Sequence, residues 1–316
     1  MPPAAAVRWP FIWRAPVAPV AVLRAGVRRS GMRRCLSARA GSGGHRPPAY
    51  GGLLLDAGGT LLQVARPVAE TYASIGRRYG SDDITFLALA VPLSCAFHQT
   101  YAVFQVPNVR PSTGVTKPEK RIMEGFKRAF AAPWPKTLRY QDDGRPFWRI
   151  VVAEATGCTD DDYFEEVYQH YAHGDAWRLP VGADTTLHEL KDAGGDKPFY
   201  LLLFSVRGLH FSSVKLAVVS NFDTRLRKLL KDLNVSDMFD AIVVSSEVGF
   251  EKPAPEIFKI ALDQIGMEAS KAVHVGDDET ADKAGANAVG LECWLWGEDV
   301  KTFSDIRDRI LTTDQQ

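Results

Sequence analysis

Short hydrophobic runs alternate with amphipathic segments through the second half of the chain. The runs are rich in Val, Leu and Ala, as is typical of buried strands, and they lie at 215–219, 241–244, 272–275 and 291–295. In the segments that precede or separate these hydrophobic runs, apolar residues recur every three or four positions. This spacing predicts helices at 184–193, 224–233, 255–265 and 280–286. Strands and helices that alternate in this way indicate a parallel sheet with helices on both faces.

Three leucines at 53–55 predict one more strand of the same sheet, and a helix with proline at its start follows. From 117 to 171 the apolar spacing is helical, and no alternation with a period of two residues is present. We therefore predict an α/β domain that is interrupted by an all-helical insert, in which Trp134, Trp148 and Trp177 are packing residues. The α/β domain is formed by residues 51–66 and 184–316, and the insert by residues 67–183.

Two further apolar segments fit neither pattern. The segment 84–108 is long enough to cross a membrane, but Pro92 and His98 interrupt it, and the segment 195–213 is too short. Removal of the second segment would join a helix, a glycine turn and a strand through a connection of ordinary length. We therefore predict no membrane span and hypothesise that both segments are untrimmed, intron-derived sequence. The alternative is that they belong to the protein as surface excursions of low order.

Charge is distributed unevenly along the 316 residues, of which 46% are hydrophobic. Residues 1–55 carry nine Arg and no Lys, Asp or Glu, whereas the rest carries 29 basic and 38 acidic residues, a net charge of −9. An acidic body argues against nucleic-acid binding. The arginine-rich, acid-free start predicts a transit peptide and linker at 1–50, for a chloroplast or a mitochondrion. The alternative is a basic tail without a targeting role, which would leave the protein in the cytoplasm or nucleus.

Polar residues that can carry chemistry stand at the carboxyl ends of four predicted strands. In chain order they are Asp56, Ser220 with Asn221, Lys252, and Asp277 with Asp282. The carboxyl ends of parallel strands meet at one edge of the sheet, so we expect these side chains to converge on one crevice. No feature of the sequence specifies an oligomeric state.

These residues also have ordinary structural interpretations. Ser220 and Asn221 are common helix-capping residues, and Asp282 could stabilise the first turn of a helix through the helix dipole. His274, on an apolar strand, is interpreted as a core histidine rather than as a catalyst. Asp56 is harder to explain in this way. Burial of a carboxylate directly after three buried leucines destabilises the fold unless the carboxylate is paired or has a role in function.

Four motifs accompany these residues in a fixed order. They are DAGGT at 56–60, SNFD at 220–223, GFEKPAPEIF at 249–258 and VGDDETADKAGA at 275–286. Together they resemble the motifs of the haloacid dehalogenase-like hydrolase superfamily, and the resemblance extends over residues 51–66 and 184–310. It implies a Rossmann-like parallel sheet, the haloacid dehalogenase-like core, and it identifies the helical insert with the cap domain of that family.

The resemblance implies a hydrolase that acts on a small phosphorylated metabolite. Asp56 would be the nucleophile and would form an acyl-phosphate, which splits phosphoryl transfer into two easier steps. Ser220 and the backbone amide of Asn221 would bind phosphoryl oxygens. Lys252 would offset the charge that is crowded between Asp56 and the substrate.

The resemblance also implies a bound Mg²⁺, a hard cation that takes oxygen ligands. Asp56 and Asp277 would supply carboxylates, and Gly58 would supply its backbone carbonyl. Asp282 would orient either Lys252 or a metal-bound water.

Gly58 departs from the pattern of the family's phosphatases, which have Asp at this position as general acid and base. Loss of such a group lowers the rate by roughly 10²- to 10⁴-fold. Dehalogenases of the family resemble Asp-x-Tyr-Gly-Thr and use no metal, and phosphonoacetaldehyde hydrolases resemble Asp-x-Ala-Gly-Thr and need a cap lysine. Two hypotheses follow. The protein is a slow phosphatase-type hydrolase, or it is a non-catalytic descendant that binds a phosphorylated ligand or a protein partner.

Overall fold

The computed structural model describes residues 48–79, 119–132, 142–193 and 213–312. Its core is a five-stranded parallel sheet. With strands numbered in chain order, the sheet consists of β1 (Gly52–Leu55), β4 (Lys215–Ser220), β5 (Ala241–Val244), β6 (Ala272–Gly276) and β7 (Glu292–Leu295), in the spatial order β5-β4-β1-β6-β7. Two shorter strands, β2 (Gln63–Val64) and β3 (Trp177–Arg178), pair antiparallel in a separate ribbon.

The described helices alternate with or follow the strands along the chain, and part of them cover the sheet. In chain order they are α1 (Val68–Gly76), α2 (Glu119–Ala131), α3 (Arg145–Thr156), α4 (Asp161–His170), α5 (Ala183–Asp192), α6 (Arg225–Asp232), α7 (Ser245–Val248), α8 (Pro255–Ile265), α9 (Gly285–Asn287) and α10 (Phe303–Leu311). A π-helical turn at Glu279–Ala284 leads into α9. The five strands of the sheet lie where the hydrophobic pattern predicts them, and the Rossmann-like α/β class is confirmed.

The strand β1 lies at the centre of the sheet, between β4 and β6. Leu55, its last residue, is in register with Val218 of β4 and Val275 of β6. Both pairings are parallel, so the loops that follow the three strands leave the sheet at the same edge. Most of the predicted site residues follow these strands. Lys252 follows β5, which pairs parallel with β4, so it is gathered at the same edge.

Both faces of the sheet are buried, which is why its strands are continuous apolar runs rather than alternating ones. Leu53 and Leu55 belong to a hydrophobic core that includes side chains of α5, α6 and α10. Leu54 points to the opposite core, which includes side chains of α8. All three leucines are fully buried.

Helices α1, α2 and α3 are joined by contacts between aromatic side chains. The ring of Tyr72 in α1 packs edge-on to Phe126 in α2, with centroids 6.5 Å apart. Phe126 stacks on Phe130 at 5.7 Å, and Phe130 packs edge-on to Phe147 in α3 at 5.8 Å. The helical spacing of the sequence thus corresponds to helices that bury their apolar faces against one another.

Three details differ from the sequence-based predictions. The helix predicted at 184–193 begins at Ala183, after Gly182 in a left-handed conformation (φ 80°), and no side chain caps it. The helix expected at 280–286 starts as a π-helical turn that the Asp278 side chain caps. The β2–β3 ribbon was not predicted, because strands of two residues are too short to show an alternating pattern.

Several predictions fall outside the described residues. They concern the transit peptide up to residue 47, the segment 84–108, nearly all of 195–213, and the packing role of Trp134. Within the described ranges, no helix is long and apolar enough to span a membrane. At the start of the described chain, the amide of Ala49 donates to the carbonyl of Ile310 (2.8 Å). The end of the predicted linker therefore contacts α10.

Candidate active site

Asp56 lies at the carboxyl end of the central strand, where the chain turns away from the sheet. Its backbone amide still belongs to the sheet and donates to the carbonyl of Val275 (2.9 Å). Gly59 has a φ of 91°, a conformation that favours glycine, and its amide donates to the carbonyl of Leu62 (2.9 Å). This turn leaves Asp56 at the sheet edge with only 6% of the residue exposed.

The ammonium group of Lys252 pairs with two carboxylates. Its Nζ lies 2.7 Å from Oδ1 of Asp56 and 2.6 Å from Oδ1 of Asp282. Only 4% of Lys252 is exposed, so the three charged groups interact with little screening by water. The sequence predicts a cation beside Asp56, and the structure places Lys252 in that position.

Ser220 and Asn221 lie at the end of β4 but use their side chains differently. The hydroxyl of Ser220 donates to Oδ1 of Asp56 (3.2 Å). The side chain of Asn221 bonds to the backbone of Lys252, where it accepts from the amide (2.7 Å) and donates to the carbonyl (3.0 Å). Asn221 therefore anchors the loop that carries Lys252, a role that the sequence does not reveal.

Asp282 is held by three neighbours. Besides Lys252, its Oδ1 lies 2.8 Å from Nε2 of His274, and its Oδ2 accepts the backbone amide of Asp278 (3.0 Å). His274 is fully buried in β6, as expected of a core histidine, although its ring contacts the site. Asp282 therefore belongs to a buried charge network and does more than stabilise the first turn of a helix.

Burial and neighbouring charges move the pKa values of these groups in different directions. Burial raises the pKa of the Asp56 carboxyl above its usual range, and Lys252 opposes this only in part. Burial alone would raise the pKa of Asp282 as well. The Lys252 ammonium and the His274 hydrogen bond outweigh this effect and hold the pKa of that carboxyl well below its usual range. Burial would lower the pKa of Lys252, but the two carboxylates keep it above the ordinary value, so Lys252 stays charged.

One group of carboxylates could hold a metal ion. Asp56, Asp277 and Asp282 are all buried, and each offers an oxygen such that these atoms lie within 4.8 Å of one another. Lys252 pairs with Asp56 and Asp282, and the carboxylate of Asp277 lies close to both. Oxygen ligands of this kind fit a hard cation such as Mg²⁺. Gly58, the remaining predicted ligand, lies in the same turn, two residues after Asp56.

Asp223, the last residue of the SNFD motif, is a buried acid that the sequence patterns do not indicate as functional. Its carboxylate pairs with Arg225 (2.7 Å) and accepts the indole N–H of Trp148 (2.8 Å). Helical spacing predicts Trp148 as a packing residue only, so its hydrogen bond is a further finding. The acid that ends the SNFD motif, two positions after Asn221, was the available signal that this loop has another contact.

Replacement of Gly276 by Ala is expected to destabilise the fold by about 1–3 kcal/mol. Gly276 ends β6, and a Cβ atom there would overlap with the carboxylate of Asp282. The measurement is the free energy of unfolding in denaturant. Gly51→Ala is the control, because a Cβ at Gly51 first meets the flexible end of the Met267 side chain. Equal stability of the two variants would contradict the close packing around Asp282.

Comparisons with known proteins agree with this geometry. A sequence profile described as haloacid dehalogenase-like hydrolase matches residues 50–290. Haloacid dehalogenase-like hydrolase domain-containing protein 3 of Mus musculus is 29% identical over 269 residues, which cover 82% of this chain and 86% of that protein. Ribulose-1,5-bisphosphate 5-phosphatase of Halopiger xanaduensis is 43% identical over 89 residues, which cover 28% of this chain and 37% of that protein.

A solved structure shows the same fold at lower sequence identity. The crystal structure of a dehalogenase with an intermediate complex matches with a TM-score of 0.52 at 16% identity, and covers 84% of this chain and 99% of the other. The resemblance that the four motifs predict is confirmed by the sequence profile, which spans most of the chain. The chain belongs to the haloacid dehalogenase-like hydrolase family.

Proposed function

We propose that the protein is a phosphatase-type hydrolase that acts on a small phosphorylated metabolite with a bound Mg²⁺. One observation carries this proposal, namely that the Asp56 carboxylate, the Lys252 ammonium, the Ser220 hydroxyl and the Asp277 carboxylate converge at one edge of the sheet. A nucleophile, a cation, a hydrogen-bond donor and a metal ligand are the groups that phosphoryl transfer through a covalent intermediate needs. The phosphatase name of the Halopiger xanaduensis relative supports this reaction class.

Asp56 supplies the nucleophile. Among the described residues, Ser220 and Lys252 both hydrogen-bond to its Oδ1, which leaves Oδ2 to attack phosphorus. A bond forms between Oδ2 and phosphorus, the bond from phosphorus to the leaving oxygen breaks, and that oxygen takes up one proton. Water then attacks the acyl-phosphate, gives up a proton, and releases orthophosphate with the carboxylate restored.

Lys252 and Ser220 have a second task once a phosphoryl group is bound. Both side chains contact Asp56 in the structure, so a phosphoryl group close to that carboxylate would come within reach of the same ammonium and hydroxyl. They would then offset charge on the phosphoryl oxygens. Mg²⁺, held by Asp56, Asp277 and the carbonyl of Gly58, would offset the remaining charge, while Asp282 keeps Lys252 in place.

Gly58 limits this chemistry. Glycine can offer its carbonyl to a metal, but it cannot give a proton to the leaving oxygen or take one from water. Substrates whose leaving oxygen needs no proton should therefore react fastest. The second candidate function is that of a non-catalytic protein that binds a phosphorylated ligand or a protein partner, and Gly58 is the observation that favours it.

Hydrolysis by the full-length chain is expected to require both Mg²⁺ and Asp56. The assay measures orthophosphate released from a panel of small phosphorylated metabolites, with Mg²⁺ or with EDTA. We expect EDTA and Asp56→Asn each to reduce the release to the level without protein, because the first removes the metal and the second removes the nucleophile. Asp263→Asn is the matched control, since Asp263 is exposed on α8, and it should keep wild-type activity.

The outcomes separate the two candidate functions. Release that is lost in Asp56→Asn and kept in Asp263→Asn supports the hydrolase. Release that survives Asp56→Asn would show that Asp56 is not the nucleophile. No release from any compound, together with calorimetric binding of a phosphorylated one, would favour the non-catalytic candidate.

A further inference from the structure

The SNFD motif contacts two different parts of the molecule. Its first half, residues 220–221, contacts the nucleophile and Lys252. The side chains of its second half, residues 222–223, also contact two tryptophans that come earlier in the chain. The ring of Phe222 packs edge-on to Trp177 in the β2–β3 ribbon, with centroids 6.1 Å apart. The proposed chemistry uses the first half of the motif and leaves the second half without a role.

Asp223 is the centre of a buried polar cluster. Arg225 approaches it with two parallel hydrogen bonds, Nε to Oδ1 (2.8 Å) and Nη2 to Oδ2 (2.7 Å). The indole N–H of Trp148 in α3 is a further donor, to Oδ2 (2.8 Å). Asp223 is 5% exposed. Charge-assisted bonds of this kind are strong and directional, so the cluster fixes the position of Trp148 relative to the loop after β4.

Arg225 extends the cluster to α4. Its guanidinium lies 4.0 Å from the centroid of the Tyr168 ring, and its Nη1 donates to the carbonyl of Tyr168 (3.4 Å). The hydroxyl of Tyr168 donates to the carbonyl of Asp143 (2.8 Å), just before α3. Asp223, a single residue in the loop after β4, is thereby linked to both α3 and α4.

The backbone before α3 also touches Asp223. Gly144 has a φ of 77°. A Cβ atom at Gly144 would lie 3.0 Å from Oδ2 of Asp223 and 3.2 Å from Cδ1 of Trp148. The turn that starts α3 is thus packed closely against Asp223 and Trp148, and a side chain at Gly144 would crowd both.

We propose that Asp223 is a positioning residue which, through Trp148 and Arg225, holds α3 and α4 against the loop of residues 220–223. This arrangement sets the affinity for the organic part of the phosphorylated substrate, and the inference rests on the proposed function. The strand-end groups bind the phosphoryl group, and the elements held by Asp223 stand next to that loop. If these helices occupy their docked position for a smaller fraction of the time, the apparent affinity falls by the same fraction.

Trp148→Phe tests the inference in the full-length chain, because it removes the indole N–H and keeps an aromatic ring. Trp294→Phe is the matched control, since the indole of Trp294 donates to Glu292 in β7 (2.8 Å) and not to Asp223. With p-nitrophenyl phosphate and Mg²⁺, we expect Trp148→Phe to raise KM by at most about tenfold, because loss of one hydrogen bond to a charged group lowers the ratio of docked to undocked protein by about that factor. The values of kcat and of the inhibition constant for orthophosphate should stay unchanged, because on this inference orthophosphate would contact the strand-end groups and not the helices that Asp223 holds.

Hydrogen exchange tests the same contact without turnover. Amides of α3 should exchange faster in Trp148→Phe than in Trp294→Phe, while those of α8 should not change. Unchanged exchange in α3, an equal increase in α3 and α8, or equal shifts in KM and in orthophosphate inhibition would each overturn the inference. If no variant turns over, the hydrolase proposal fails, and exchange still decides whether Trp148 holds α3 in place.

Discussion

Replacement of Gly58 by Asp is expected to raise the rate of phosphate-ester hydrolysis by roughly 10²- to 10⁴-fold. The new carboxyl group would give a proton to the leaving oxygen and take one from the attacking water. In the wild type, Gly58 has no side chain that could make either transfer. The measurement is kcat with Mg²⁺ for p-nitrophenyl phosphate and for an alkyl phosphate. The gain should be larger for the alkyl phosphate, because its leaving oxygen is more basic and depends more on the proton.

The turn after β1 can accept a side chain at this position. Gly58 is partly exposed, and the positive φ in this turn belongs to Gly59 rather than to Gly58. The turn is closed by backbone hydrogen bonds, from the amide of Gly59 to the carbonyl of Leu62 (2.9 Å) and from the amide of Leu62 to the carbonyl of Ala57 (2.7 Å). A substitution at Gly58 therefore changes the chemistry of the site more than its shape.

Gly58→Asn is the matched control for this prediction, because it adds a side chain of the same size without an acidic proton. We expect it to stay at the wild-type rate. Equal rates in Gly58→Asp and Gly58→Asn would argue against general acid catalysis from this position. A gain that persists when Asp56→Asn is added would show that the reaction does not pass through the Asp56 carboxylate.

The sheet and the meeting of its strand ends were predictable from sequence for a physical reason. Strands buried on both faces must be continuous apolar runs, so 53–55, 215–219 and 272–275 stand out against amphipathic helices. Parallel pairing then brings the residues after each run to one edge. The contacts of Asp56 with Ser220 and Lys252 follow from this topology, although these residues are 164 and 196 positions apart in sequence.

Other contacts were not predictable, because they depend on how separate elements pack. Asn221 supports the Lys252 loop, and Asp223 binds Trp148 from 75 positions away. Neither contact has a periodic signal, since each joins a loop to another segment at an angle set by the tertiary fold. The transit peptide and the intron-derived origin of 84–108 and 195–213 stay predictions.

Replacement of Lys252 by Met is expected to lower the free energy of unfolding by about 3–5 kcal/mol at pH 7.5 in EDTA. Met has a similar length but no charge, so Asp56 and Asp282 would remain buried without the ammonium that contacts both. An unpaired buried carboxylate is far less favourable than a paired one. EDTA is needed in the assay, because a bound cation would replace part of the lost charge. Lys259→Met, at an exposed position on α8, is the control and should change the stability by less than about 0.5 kcal/mol.

The pH dependence identifies the two carboxyl groups as the cause. Without the Lys252 ammonium, burial should raise both folded-state pKa values above the unfolded value of about 3.9. Groups raised in this way contribute their full stability below about pH 4 and lose it as the pH rises through the folded-state pKa values. In the wild type, the pKa of Asp282 is depressed, so its stabilisation is complete above about pH 4 and does not change between pH 5 and pH 7.5. The raised pKa of Asp56 already costs the wild type some stability over this interval, but less than it would without Lys252. The difference between Lys252→Met and wild type should therefore be larger at pH 7.5 than at pH 5. A difference that is the same at both pH values would mean that lost packing, and not unpaired charge, destabilises the variant.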